Sequence, residues 1–235
     1  MSVFAISDLH LAISVKKPMD VFGGRWQEYM TRLEENWNAV VSGDDYVLIP
    51  GDISWATYLN EISEDFAFIE RLPGKKVISK GNHDYWWTTL KKLNAFIKEQ
   101  GFETMRFLNN DCCNADGMAV CGTRGWKCPG DDDFSEEDLK LYDRELIRLK
   151  LSLECARKLG KPMTAMLHYP PFSRNLGSSG FTELLCKYEV KKCIYGHLHG
   201  EYSRNAFTGM RDGTEYLFVA ADHLQFKPLK ISEQD

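Results

Sequence analysis

No run in the 235-residue chain approaches the roughly 20 apolar residues of a membrane span, so no transmembrane segment is expected. No secretory leader is expected either, because Met1 passes directly into Val3-Phe4-Ala5-Ile6 without a basic stretch or a long apolar core. Cysteine is sparse and unpatterned. Seven of them, an odd number with no CxxC pair, indicate neither a disulfide framework nor a zinc ribbon. Free thiols in a reducing cytoplasm are expected, with Cys112 and Cys113 alternating across a strand. A cationic excess is also absent: the net charge of −5 disfavours a dedicated binder of bulk nucleic acid, although it leaves room for a local basic patch. Repeats, low-complexity tracts and linkers are missing, so residues 1–235 read as one domain.

What is present is ordinary for a globular protein in bulk, with 43% apolar and 27% charged residues, so the information lies in pattern. Apolar residues at helical spacing predict helices over residues 25–41, 61–72 and near 88–99. A long helix capped by Ser135 should bury Leu139, Tyr142, Leu146, Leu149, Leu153 and Ala156. Short apolar runs at Val3–Ile6, Tyr46–Ile49, Lys76–Ser79, Thr164–Leu167, Lys192–Tyr195 and Tyr216–Val219 predict strands. Residues 104–122 read as two or three antiparallel strands turning at Asp116-Gly117. Strands alternate with helices at the start and a strand-rich stretch follows, which indicates a mixed layered αβ sandwich.

Five of the six histidines stand where such a strand gives way to a loop. The clusters are Asp8-Leu9-His10, Gly81-Asn82-His83-Asp84, His168 and Gly196-His197-Leu198-His199, with a lone carboxylate at Gly51-Asp52. Positions two apart in an extended segment point the same way, so Asp8 with His10, and His197 with His199, could each meet one cation. Asp52 has no neighbouring partner, which suits a carboxylate shared by two metals. Taken singly, a strand-end aspartate is a turn or cap residue and a lone histidine is a core residue. Their joint occurrence at successive strand ends points to a metal centre. Imidazole, carboxylate and amide donors without thiolate fit Mn, Fe or Zn better than Ca or Mg.

In this order the clusters resemble the calcineurin-like metallophosphoesterase superfamily, whose motifs are DxH, GD, GNH[DE], a lone H and GHxH. The match runs from Asp8 to His199 and fills every motif position. The resemblance implies an α+β fold, a four-layer αββα sandwich of two mixed sheets flanked by helices, with two metals at the strand C-termini. It also implies that Asp8, His10 and His199 hold one divalent ion, most simply Mn with Fe or Zn as alternatives. Asn82, His168 and His197 would hold the other, with Asp52 and a hydroxide between the two. His83 would protonate the leaving alkoxide and Asp84 would orient its imidazole. The protein-phosphatase pattern GDxVDRG is replaced by Gly51-Asp52-Ile53-Ser54-Trp55, so bacterial phosphodiesterases and phosphohydrolases are the nearer comparison.

A small phosphorylated substrate is therefore expected, with a phosphomonoester or phosphodiester bond cleaved. A nuclease or cyclic-nucleotide phosphodiesterase is the alternative within this chemistry, and a catalytically silent metal-binding scaffold is the alternative outside it. Arg25, Arg124 and Asn175 are candidate substrate contacts, the last on a loop over residues 173–180 that could act as a lid. Trp55, Trp86 and Trp87 read as packing under the loops, and His223 as structural. The leucine stripe of the long helix packs internally or across a dimer, and no oligomeric state follows from the sequence.

Overall fold

A computed structural model describes residues 1–15, 17, 19–173 and 175–232. Arg174, within the loop singled out above, lies outside the described residues. The first half of the chain is β1 (Val3–Ala5), α1 (Tyr29–Val40), β2 (Tyr46–Pro50), α2 (Ser63–Arg71), β3 (Lys75–Ser79), α3 (Leu90–Glu99) and β4 (Met105–Phe107). The second half is β5 (Cys112–Ala115), β6 (Met118–Thr123), α4 (Glu136–Arg157), β7 (Met163–Leu167), α5 (Gly180–Lys187), β8 (Lys192–Tyr195), β9 (Gly209–Arg211), β10 (Thr214–Phe218) and β11 (Leu229–Lys230).

These strands form two mixed sheets. One has the order β11-β1-β2-β3-β4, with β1 to β4 parallel and β11 antiparallel at its edge. The other has the order β5-β6-β7-β8-β10-β9, parallel in the middle with antiparallel β5 and β9 outermost. The strand period of two decides what each side chain meets. Val3, Ala5, Leu48, Val77, Val120, Met166 and Ile194 pack between the sheets. Their neighbours Phe4, Val47, Ile49 and Ile78 pack with residues of α1, α2 and α3, while Ala119, Cys121, Ala165, Leu167 and Tyr195 pack with α4 and α5. Because both faces of both sheets are covered, the strands read as continuous apolar runs. The result is the four-layer αββα sandwich. No helix among the described residues is long and apolar enough to cross a membrane.

Three expectations need correction. The first helix begins at Tyr29, not residue 25: Gly24–Trp26 forms a 3-10 turn, and Glu28 takes a left-handed φ of 49° that breaks the run. Along α4, Leu139 is 45% exposed, and Glu145 and Ser152 are buried instead. Those two polar residues are satisfied in place. Ser152 Oγ accepts from Gly122 N at 2.7 Å and donates to Asp111 O at 2.5 Å, while Glu145 takes Arg148 at 2.6 Å. The thiols are not all free either, since Cys112 on β5 is bonded to Cys155 near the end of α4. Cys113, one residue on, points into the core as alternation requires. The hairpin turn stands where expected, with Asp116 and Gly117 both at positive φ between β5 and β6.

Candidate metal centre

The loops leaving β1, β2, β3, β7 and β8 meet at one end of the sandwich. There the chain continues β1 across to the other sheet: Ser7 N donates to Val219 O at 2.8 Å and Ala221 N to Ser7 O at 2.9 Å. The loops after β1 and β2 remain in register, with Asp8 N on Gly51 O and His10 N on Asp52 O, each at 3.0 Å. Asp8, His10, Asp52 and His197 nevertheless have φ of 59°, 47°, 53° and 75°. That region is uncommon for residues with a Cβ, and the surrounding pairing holds it. The pair Asp8 and His10 therefore converges through two left-handed residues, not through the extended alternation expected from the sequence.

Two groups of donor atoms result. In one, His10 Nε2 and His199 Nε2 face each other at 3.2 Å, and His199 Nε2 lies 3.3 Å from Asp8 Oδ1. In the other, Asn82 Oδ1 lies 2.6 Å from His168 Nε2 and 2.8 Å from His197 Nδ1, and those two ring nitrogens are 3.3 Å apart. Asp52 stands between them, its Oδ2 being 3.8 Å from His10 Nε2 and 3.4 Å from His168 Nε2. Asp8, His10 and His199 lie close enough to share one cation, and so do Asp8, Asp52 and His168. All seven residues named from the sequence are thus brought together. Two glycines make this possible, because a Cβ at Gly81 would fall on the Asp52 carboxylate and one at Gly196 on the Asp8 carboxylate and Ser7 Oγ.

Burial governs the charges. It would raise Asp8, but the hydrogen bond from His199 and the charges of His168 and His199 outweigh it and hold the carboxyl below the usual range. Asp52 goes the other way: burial, then repulsion from Asp8, pushes it up to about 8. Burial likewise lowers His10 and His168, and lowers His197 to about 3, leaving neutral rings with lone pairs to donate. Two adjacent buried carboxylates beside neutral imidazoles are costly unless a cation sits among them. The oxygen and nitrogen donor set fits divalent transition metals.

Over residues 1–201 the sequence matches the profile of the calcineurin-like phosphoesterases. The chain belongs to the calcineurin-like phosphoesterase family. No curated protein matches it at significant similarity. Among solved structures it is similar to the phosphopantetheinyl hydrolase of Mycobacterium tuberculosis, with a TM-score of 0.61 at 14% identity, over 99% of this chain and 96% of that one. A protein of unknown function from Aquifex aeolicus gives 0.51 at 16% identity, over 97% and 95%. The anchor of the inner membrane complex of Plasmodium gives 0.52 at 12%, over 94% and 72%. At such identities these likenesses describe the fold alone, and the last shows how different the settings of one fold are.

As a calcineurin-like phosphoesterase the chain is a hydrolase that depends on divalent metal ions. Its motif residues are held by partners the sequence did not single out. Asp222, after the last parallel strand, is buried; its Oδ1 accepts from His199 Nδ1 at 3.0 Å and its Oδ2 from Gly200 N at 3.2 Å. This leaves His199 Nε2 facing the donors, as a carboxylate behind a metal-binding histidine does. Burial opposes protonation of His199, yet the bonds to Asp222 and Asp8 prevail and raise it to about 10. Behind His168, Pro50 O accepts from Nδ1 at 3.0 Å and leaves Nε2 facing the donors. A signal for Asp222 existed, since it follows an apolar strand as Asp8 and Asp52 do.

Asp84 departs from its expected role. Its Oδ2 accepts from Gly81 N at 2.7 Å and from Asp52 N at 2.9 Å, and its Oδ1 from Ile53 N at 2.9 Å. It splints the loops after β2 and β3, while His83 Nδ1 is buried without a hydrogen-bond partner. The His83 ring instead lies against Trp55 at 4.7 Å, which also stacks on His10 at 4.9 Å. Trp55 is therefore a wall of the site, whereas Trp86 is buried against Phe66 and Trp87 lies between Trp86 and Phe107.

The three candidate substrate contacts do not form one subsite. Arg25 is exposed and reaches Gly200 O at 3.4 Å. Arg124 lies over Trp126 at 4.4 Å and 3.9 Å from Glu145. Asn175 is exposed on its loop and does not line the cavity that opens beside His197. That cavity, about 480 Å³, is walled by Trp126, Tyr169, Phe172, Tyr202 and Phe207.

Proposed function

We propose that the chain hydrolyses a phosphomonoester or phosphodiester of a small molecule at a dinuclear centre. Asp8, His10 and His199 would hold one ion and Asn82, His168 and His197 the other. The observation that carries this reading is the position of Asp52 Oδ2 between the two groups, 3.8 Å from His10 Nε2 and 3.4 Å from His168 Nε2. When bound, two divalent ions acidify water from a pKa of about 15.7 toward 7 and offset charge on the phosphoryl oxygens. Mn is the favoured ion, with Fe and Zn compatible with the same donors.

The protein's own part is placement and proton transfer. His10 and His83 are fixed by the Trp55 face, which presents the His83 imidazole at the edge of the donor cluster. Burial, then the charge of His168, lowers His83 and leaves its ring neutral at rest. It would take a proton from solvent water as an anionic ester enters beside it and release that proton to the leaving oxygen. The aromatic cavity beside His197 takes the alcohol part of the ester, and its volume suits a small organic group. The test is hydrolysis of p-nitrophenyl phosphate and bis-p-nitrophenyl phosphate with added Mn. Activity on at least one is expected, lost on chelation and in Asp52→Asn. Full activity in metal-free protein would overturn the reading.

A further inference from the structure

A second cavity, about 170 Å³, lies at the same end of the sandwich and contains none of the metal-site residues. It opens where β3 and β6 end, against the first half of α4. Its lining includes four cations, Lys80, Arg124, Arg144 and Arg148, and one carboxylate, Glu145. Glu145 is fully buried and already shared: Arg148 Nη1 is 2.6 Å away, Arg124 and Arg144 are each 3.9 Å away, and Thr123 Oγ1 donates to it. Three positive charges remain without a counter-charge in the cavity, in a chain whose net charge is −5.

Two further observations point to a missing acceptor. Ser79 is 1% exposed, lines the cavity, and its Oγ has no hydrogen-bond partner. Arg124 Nε is buried and equally unsatisfied. Buried polar atoms are nearly always paired, and exceptions call for an unseen ion or water. The ammonium of Lys80 makes no hydrogen bond or ion pair among the described residues. A guanidinium fork, an ammonium and a hydroxyl around a small volume are the donors that recognise a tetrahedral oxyanion. The volume falls below the roughly 300 Å³ at which pockets for drug-sized ligands begin, so one such group fits and a nucleoside does not.

We propose that this cavity binds a phosphate group, through Lys80, Arg124, Arg148 and Ser79. It goes beyond the hydrolytic reading and does not depend on it. The phosphate is either the second phosphate of a substrate or free inorganic phosphate. Both would act close to the centre, since Lys80 adjoins the Gly81-Asn82 loop and Arg124 O accepts from His168 N at 2.9 Å.

The experiment titrates inorganic phosphate into chelator-stripped protein by calorimetry, where no metal competes for the anion. Saturable binding at one site is expected, weakened at least tenfold in Lys80→Met and in Ser79→Val. These two variants leave Glu145 with its arginines, whereas Arg148→Met would strip the buried Glu145 of its nearest cation. No saturable binding, or binding unchanged in Lys80→Met, overturns the proposal even if the ester assays succeed. The source is then read on metal-loaded protein by inhibition of p-nitrophenyl phosphate hydrolysis, or by direct calorimetry if that ester is not turned over. Weaker binding of adenosine 3′,5′-bisphosphate in Lys80→Met, with adenosine 5′-phosphate spared, supports a substrate's second phosphate. No effect on either nucleotide, with binding of inorganic phosphate still weakened, supports free phosphate.

Discussion

Asp84→Asn separates two accounts of the residue after His83. If Asp84 served to orient the His83 ring, the change would lower turnover and leave the scaffold alone. The geometry instead gives its two oxygens three backbone donors, from Gly81, Asp52 and Ile53, at 2.7 to 2.9 Å. An asparagine keeps one acceptor, enough for the two donors now on Oδ2, and turns an amide N–H2 toward the third. A charge-assisted bond is lost and one buried donor faces another, at about 1.5–3 kcal/mol for the bond alone. Burial and the charge of Asp52 push Asp84 up to about 7, which reduces the advantage of the charged form and places the expected loss near the lower figure. Asp84→Ala abandons all three donors and should cost about twice as much, a large part of the 5–15 kcal/mol typical of a folded domain. Urea denaturation gives the stability, and elemental analysis after gel filtration gives bound metal per chain. The expected result is a loss of about 2 kcal/mol together with reduced metal content, because Asp52 and Asn82 sit on the two loops that Asp84 joins. Unchanged stability and metal content with turnover alone reduced would refute the splint and restore the orienting role.

Asp222→Ala frees the back of His199 and should weaken metal binding by about 10–100-fold in a metal titration, with the fold retained; unchanged affinity would remove Asp222 from the site. Gly196→Ala drives a methyl into the Asp8 carboxylate and should abolish stoichiometric metal binding, whereas Gly43→Ala, with open space around it, should not; a metal-replete Gly196→Ala protein would contradict the packing. Stability should fall at alkaline pH. Burial raises Cys113 to about 11, Cys121 and Cys128 to about 12, and Cys193 further still, so above the ordinary value of 9.0 the unfolded chain loses protons that the folded chain keeps. By linkage each costs about 1.3 kcal/mol between pH 8 and pH 10, about 5 kcal/mol together, and equal denaturation midpoints at the two pH values would rule this out.

Residues whose role is set by their own segment were legible. A short apolar run followed by a polar cluster marks where a strand ends, and in a sheet of parallel strands those ends lie together. The convergence of all seven candidate ligands was therefore legible in the sequence. What was hidden depends on partners far along the chain. Asp84 looked like a neighbour of His83, but two of its three donors lie 31 and 32 residues earlier. Glu145 broke the expected stripe of α4: Arg148 on the same helix pairs with it, but Thr123 and Arg124, which also reach it, arrive from the end of β6. Cys112 and Cys155 are 43 residues apart, and nothing local announces the pair. The left-handed φ of Asp8, His10 and Asp52 was invisible for a related reason: it is imposed by pairing between loops, against the preference of each residue.

Those hidden residues also alter the charge balance. Counting only Asp8 and Asp52 against two divalent ions leaves a surplus of two positive charges to attract an anionic ester. Asp84 and Asp222 are also buried at the same end of the sandwich, so four carboxylates would face the two proposed ions, and the surplus would be cancelled when all are ionised. The distribution then matters more than the sum. Asp84 is neutralised in part by three backbone N–H groups, and Asp222 by the His199 Nδ1–H and Gly200 N–H, so both repel an anion less than their formal charges imply. A phosphodiester, with one charge, meets little opposition. A doubly charged monoester needs more, and the cavity of Lys80, Arg124 and Arg148 at the same end of the sandwich holds more cations than carboxylates. In Lys80→Met, discrimination between mono- and diesters should shift toward the diester, as a change in the ratio of kcat/KM for the two p-nitrophenyl esters. An unchanged ratio would mean that the metal centre alone meets the charge of its substrate.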